Sequence, residues 1–144
     1  MKEYVSSVLV DASPEQVWSV LADGAAYAEW NPEIIGIDGR LALGKTIRAR
    51  VRLGSGAVRV VTQRVVVFSP PDRMEWVGGL PLGLFVGRRI YTVTQRAAGV
   101  EFDLRAQMSG PLAPLILKSV GDRQAELDSF TRALKARVEQ RRRC

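Results

Sequence analysis

Polar and apolar residues alternate with period two through most of the middle of the chain and take up a helical period near both ends. In residues 46–53, Ile47, Ala49, Val51 and Leu53 alternate with Arg48, Arg50 and Arg52, which predicts a strand with one buried face and its arginines outside. The same pattern predicts strands over 35–42, 45–53, 57–68, 73–78, 85–96 and 99–109. Gly44, Gly54-Ser55-Gly56, Pro70-Pro71-Asp72 and Ala97-Ala98-Gly99 separate several of them, and connections this short predict antiparallel neighbours. A further strand lies in residues 3–11, with Val5, Ser7 and Leu9 on one side and Val8 and Val10 on the other; its phase is mixed, so its inward face stays open.

Between this strand and the next, Ser13 is a good N-cap, Pro14 fits a first helical position and Gln16 completes a capping box. Val17, Trp18, Val20 and Leu21 supply the apolar side of the short helix that follows, and Asp23-Gly24 stops it. Residues 25–30 add another turn or two before Pro32 disfavours helix at Asn31, which holds Trp30 as a plug where the chain enters the sheet. After Gly110 the pattern predicts one helix of about eight turns, with Ile116, Val120, Leu127, Phe130, Leu134 and Val138 on a single stripe. Gly121 and Asp122 interrupt that stripe and mark a hinge that would let the first third of the helix move by itself. Residues 78–87 carry four glycines among Leu80, Leu82, Leu84, Phe85 and Val86, an apolar loop that needs a cover or a ligand.

An antiparallel sheet with one apolar face must bury it, and the C-terminal helix is the only element large enough to do so. The expected fold is therefore α+β: a curved seven-stranded antiparallel sheet around a long C-terminal helix, with two short helices between the first two strands, in a single domain spanning 1–144. With 144 residues, 47% of them hydrophobic and 25% charged, the chain is long enough to bury one core unaided. No apolar run approaches the roughly 18 residues of a membrane span, and the N-terminus is unlike a signal peptide, so no stable membrane insertion and a cytoplasmic location are expected.

Histidine is absent and the only cysteine is Cys144, whose thiol is read as incidental. Ser-His-Asp hydrolysis, Cys-His chemistry, His-ligated zinc and disulfides within the chain are thereby excluded, while carboxylate, Tyr, Lys or Arg chemistry stays open. No metal and no cofactor is expected. The net charge of +6 invites a nucleic-acid or anionic-membrane partner. The strand arginines, however, fit a solvated face that discourages edge pairing, and Arg141, Arg142 and Arg143 complement a helix C-terminus, so no nucleic-acid partner is expected.

The order of elements, together with ASPEQVWSVLADGAAYAEWNPEI, RMEWVG, LFVGRRIYTV and MSGPLAPLIL, resembles the START-like SRPBCC superfamily over essentially the whole chain. This is the helix-grip, birch-pollen-allergen-like fold, whose relatives include polyketide cyclase/dehydrase-type proteins. The resemblance implies a cavity between sheet and C-terminal helix that takes hydrophobic small molecules, lipids or polyketides. Residues on the presumed inner phases that would line it are Trp30, Val51, Leu53, Trp76, Tyr91, Phe102, Leu104 and Met108. The glycine-rich loop 78–87, with Leu84 and Phe85, would form its entrance facing the start of the helix at residues 112–117, and Leu115, Ile116 and Val120 would line it from the helix side. A filled core asks for the same residue types, so a hollow interior and a packed one are both open. Arg89 shares the phase of Tyr91 and Val93 and needs a carboxylate, a phosphate or solvent; it either pairs within the protein or anchors an acidic headgroup.

No catalytic residue is assigned. The last strand presents Phe102, Leu104, Ala106 and Met108 inward, all apolar, where relatives often carry histidine or glutamate. A carrier or sensor of a hydrophobic molecule or lipid, with an acidic group as an option, is therefore favoured over a cyclase or aromatase using Tyr91 and Arg89. A protein-interaction role for the basic sheet face is the third reading, and both monomer and homodimer fit.

Overall fold

The computed structural model describes residues 1–143, so Cys144 and the side chain of Arg143 lie outside the described residues. Seven strands form one antiparallel sheet: β1 (Lys2–Val10), β2 (Ile34–Asp38), β3 (Thr46–Arg52), β4 (Val58–Ser69), β5 (Arg73–Leu80), β6 (Phe85–Arg96) and β7 (Gly99–Ser109). Their order across the sheet is β1-β7-β6-β5-β4-β3-β2, so the chain meanders from β2 to β7 and β1 closes the far edge beside β7. Helices α1 (Pro14–Leu21) and α2 (Tyr27–Trp30) bridge β1 and β2, and α3 (Ala113–Val120) and α4 (Gln124–Arg143) follow β7. This is the helix-grip architecture expected from the element order.

Local chemistry accounts for the element boundaries. Ser13 accepts from the Gln16 N–H while the Gln16 side chain accepts from the Ser13 N–H, a capping box with Pro14 in the first turn of α1. Val17, Trp18, Val20 and Leu21 of α1 are all buried. The strand predicted over 35–42 is shorter, ending at Asp38, because Gly39 turns at φ 104°. The strand predicted to end at 78 continues to Leu80, and no side chain fits in place of Gly79, where a Cβ would stand 2.1 Å from the Phe85 carbonyl oxygen. The chain then turns through residues 81–83 and re-enters the sheet as β6.

In β1 the even-numbered residues face inward: Tyr4, Ser6 and Val10 are buried and Val8 packs against the core. Ser6 donates to Asp128 Oδ1 at 2.6 Å and lies 2.9 Å from Thr131 Oγ1, so a polar stripe of α4 explains a serine on the buried face. The C-terminal segment is two helices instead of the single one predicted. Gly121, at φ 78° and ψ −170°, ends α3, and Asp122 Oδ1 accepts from the Gln124 N–H at the start of α4. In α4, Leu127, Phe130, Leu134 and Val138 are buried, whereas in α3 only Ala113 is.

Candidate functional site

Phe130 of α4 divides the space under the sheet. Its ring lies 5.6 Å from Trp30, 6.1 Å from Tyr27, 5.7 Å from Tyr91 and 6.2 Å from Phe102, an aromatic cluster that fills one half of the interior. The other half, toward β3 to β5 and α3, holds a cavity of about 200 Å³. Val51, Leu53, Val61, Trp76 and Met108 contribute apolar wall from the sheet side. Phe85 stands at the β6 end, and Ile116, Val120 and Leu127 close the helix side.

Eight of the residues expected to line a cavity do so: Val51, Leu53, Trp76, Phe85, Arg89, Met108, Ile116 and Val120. Six do not. Tyr91, Phe102 and Leu104 are fully buried in the packed core, because Phe130 reaches the sheet there and takes the space. Trp30 packs edge-on against Tyr27 and Phe130 and belongs to that same filled half. Leu84 and Leu115 turn outward, and Leu115 is 65% exposed, since the wall side of α3 is taken by Ile116 and Val120.

Beside the cavity lies a cluster of charge that strand periodicity brought out only in part. Arg89 donates Nη1 and Nη2 to the two oxygens of Glu33 at 3.0 and 2.9 Å, and Nε to the Tyr91 hydroxyl at 2.8 Å. Arg123 Nη2 donates to Glu33 Oε2 at 2.7 Å. The turn after α2 aims Glu33 inward: Asn31 Oδ1 accepts from the N–H groups of Glu33 and Ile34, folding residues 31–34 into a tight loop. Burial alone pushes the Glu33 carboxyl up, but Arg89 and then Arg123, by charge and hydrogen bonds, hold it below the usual carboxylate range. The Tyr91 hydroxyl moves the other way; burial raises it well above an ordinary tyrosine and the Arg89 charge only partly offsets this.

Two members of this cluster escaped the sequence reading, and both left signals. Arg123 stands four residues before Leu127 and seven before Phe130, so it occupies a position of the buried stripe. Glu33 immediately precedes the apolar pair Ile34-Ile35 at the start of a strand, next to the proline that turns the chain inward.

The sheet's outer face shows how most of its arginines are used. Arg50 pairs with Asp38 at 2.8 Å, Arg73 and Arg88 share Glu75 at 2.6 and 2.7 Å, and Arg105 pairs with Asp103 at 3.0 Å. At the chain end Arg142 pairs with Asp11 at 2.8 Å. Among the described residues no group of three His, Cys, Asp or Glu side chains is placed to hold a metal ion. No helix among them is long and apolar enough to cross a membrane.

A curled antiparallel sheet gripping a C-terminal helix, with a cavity between the two, defines a helix-grip protein. The family of polyketide cyclases/dehydrases and lipid-transport proteins matches residues 1–139, and the chain belongs to that family. No curated protein sequence matches it significantly. Among solved structures it is similar to the Zhui aromatase/cyclase from Streptomyces sp. R1128, with 18% identity, coverage of 99% of this chain and 96% of that one, and a TM-score of 0.79. A START superfamily protein from Mycobacterium smegmatis is 23% identical over 96% of this chain and 97% of its own, with a TM-score of 0.69. The di-domain ARO/CYC StfQ of the steffimycin biosynthetic pathway matches 99% of this chain with 52% of its own length, at 14% identity and a TM-score of 0.72.

Proposed function

We propose that this protein binds a hydrophobic small molecule or lipid in the cavity between sheet and helices, as a carrier or sensor. The observation that carries this reading is the cavity of about 200 Å³ itself, walled largely by Val51, Leu53, Val61, Met108, Ile116 and Leu127 in a domain whose other half is densely packed. Interiors are close-packed as a rule, and a hollow of this size forgoes contacts that larger side chains would supply. Apolar walls with a few polar groups are what binding of a hydrophobic compound needs.

Cyclase chemistry in the same cavity has less support. No Asp or Glu lines the cavity and no histidine exists in the chain. The Tyr91 hydroxyl is buried beyond the wall, already accepts from Arg89, and is held protonated far above neutral pH.

Native mass spectrometry of the purified protein, with extraction and identification of any retained compound, tests the proposal. A retained hydrophobic compound in the wild type, and its loss in a folded Val51→Phe variant whose ring fills the cavity, is the expected result. If neither retained nor added hydrophobic compounds bind the wild type, the reading fails.

A further inference from the structure

Arg59, Arg89 and Arg123 bring guanidiniums to the cavity and no carboxylate lines it, while Arg88, on the opposite phase of β6 from Arg89, directs its guanidinium to Glu75 on the outer face. The carboxylates behind them are Glu33, shared by Arg89 and Arg123, and Glu126, 4.0 Å from Arg123 Nη1. Arg59 has a hydroxyl partner instead, Ser119 Oγ at 3.1 Å. Three guanidiniums therefore meet two carboxylates around one largely apolar hollow, which leaves the surrounding field positive.

Arg89 is not free to serve a ligand. Its Nε, Nη1 and Nη2 are all engaged by Tyr91 and Glu33, and its guanidinium also lies over the rings of Tyr91 and Phe130, at 5.5 and 5.6 Å. Arg123 differs. It is only 5% exposed, one end is fixed by Glu33, and its Nη1 is buried with no hydrogen-bond partner in the protein. Glu126 stands beyond hydrogen-bond reach of that nitrogen. Trp76 is fully buried, and its indole Nε1 likewise has no partner. Trp76 is opposite Arg89 across β5 and β6, Arg89 shares Glu33 with Arg123, and Trp76 and Arg123 both line the cavity. Buried donors without partners are costly, and a pair of them on a cavity wall points to an acceptor on the ligand.

Resting on the binding function proposed above, we infer that the ligand is a small hydrophobic carboxylic acid whose carboxylate is received by Arg123 Nη1 and Trp76 Nε1. The size follows from the cavity: an engineered hollow of about 150 Å³ in another protein takes one benzene ring, and drug-sized pockets begin at about 300 Å³. About 200 Å³ thus suits a one- or two-ring acid or a short acyl chain, not a whole diacyl lipid. The anchor is Arg123, on the loop between α3 and α4, and not the strand arginine that periodicity singles out. Gln63, another wall residue, likewise has a buried Oε1 without a partner in the protein.

Calorimetric titration of the full chain with 2-naphthoic acid, its methyl ester and naphthalene tests this. The acid is expected to bind at least about tenfold more tightly than the ester, as a charge-assisted hydrogen bond exceeds a neutral one. Arg123→Gln keeps a donor for Glu33 and should erase the preference for acid over ester. Trp76→Phe keeps an aromatic wall and should weaken acid and ester alike by several-fold while leaving naphthalene unchanged. Equal affinity of acid and ester for the wild type overturns the carboxylate anchor while hydrophobic binding stands. If none of the three compounds binds, the binding reading itself falls and the inference with it.

Discussion

Replacing Glu33 by glutamine preserves the shape of the side chain and removes the one negative charge that Arg89 and Arg123 share. The Glu33 side chain is fully buried and accepts three hydrogen bonds from the two guanidiniums, at 2.7, 2.9 and 3.0 Å. An amide in its place offers one oxygen to donors that now occupy two and turns its own N–H groups toward a guanidinium. Breaking a buried ion pair by removing one partner costs about 3–5 kcal/mol, because the remaining charge stays desolvated. For a chain of this length each kcal/mol is worth about 2–4 °C, so a loss of about 6–20 °C in Tm is expected. Urea denaturation at pH 7 and at lower pH provides the assay. The folded-state pKa of Glu33 lies below its ordinary value of 4.5, so its contribution is fully present above that pH and is lost as pH falls toward the folded value. The gap between wild type and Glu33→Gln should therefore be constant above about pH 5, narrow by at most about 1.4 kcal/mol per pH unit between pH 4.5 and the folded-state value, and level off below it. A loss under about 1 kcal/mol at pH 7, or a gap indifferent to acid, would refute the buried-pair account.

Phe130→Ala removes the ring that joins Tyr27, Trp30, Tyr91 and Phe102, and should cost about 3–5 kcal/mol in urea denaturation. A cost near that of a surface substitution would mean the aromatic half is not packed as described. Leu82→Gly should stabilise by about 0.5–1 kcal/mol, since Leu82 sits at φ 60° and is 97% exposed, with backbone strain and no burial to lose; destabilisation would contradict this. Amides of α3 should exchange faster than those of α4, because α3 buries only Ala113 while α4 is anchored by four core side chains. Equal protection on the two sides of Gly121 would argue against a hinge there.

How much of this was legible in the sequence depends on whether a feature is local. The capping box at Ser13 and Gln16 is written in adjacent residues, and the alternation of Ile47, Ala49 and Val51 with arginines shows which face of β3 is buried without knowledge of its neighbours. The inward phase of β1 could not be read locally, because Ser6 is buried for partners Asp128 and Thr131 more than 120 residues away. The division of the interior into a filled and a hollow half was equally hidden. It depends on where α4 projects Phe130, so Tyr91, Phe102 and Leu104 could not be told apart from Trp76 and Val51 by periodicity. The need of Arg89 for a partner was visible from its strand phase, but Glu33 is 56 residues distant and only the fold brings them together.

The central claim is that a hydrophobic molecule occupies the cavity in the native state. Ligand-induced thermal stabilisation of the intact protein, measured across a panel of hydrophobic acids, esters and lipids, tests it most directly. A compound present at about a hundred times its Kd adds about 2.7 kcal/mol, which is a rise of about 5–11 °C for a domain of this size. The account predicts such a rise for at least one compound, and its disappearance in the Val51→Phe variant. No shift with any compound, or a shift that survives filling the cavity, would contradict it.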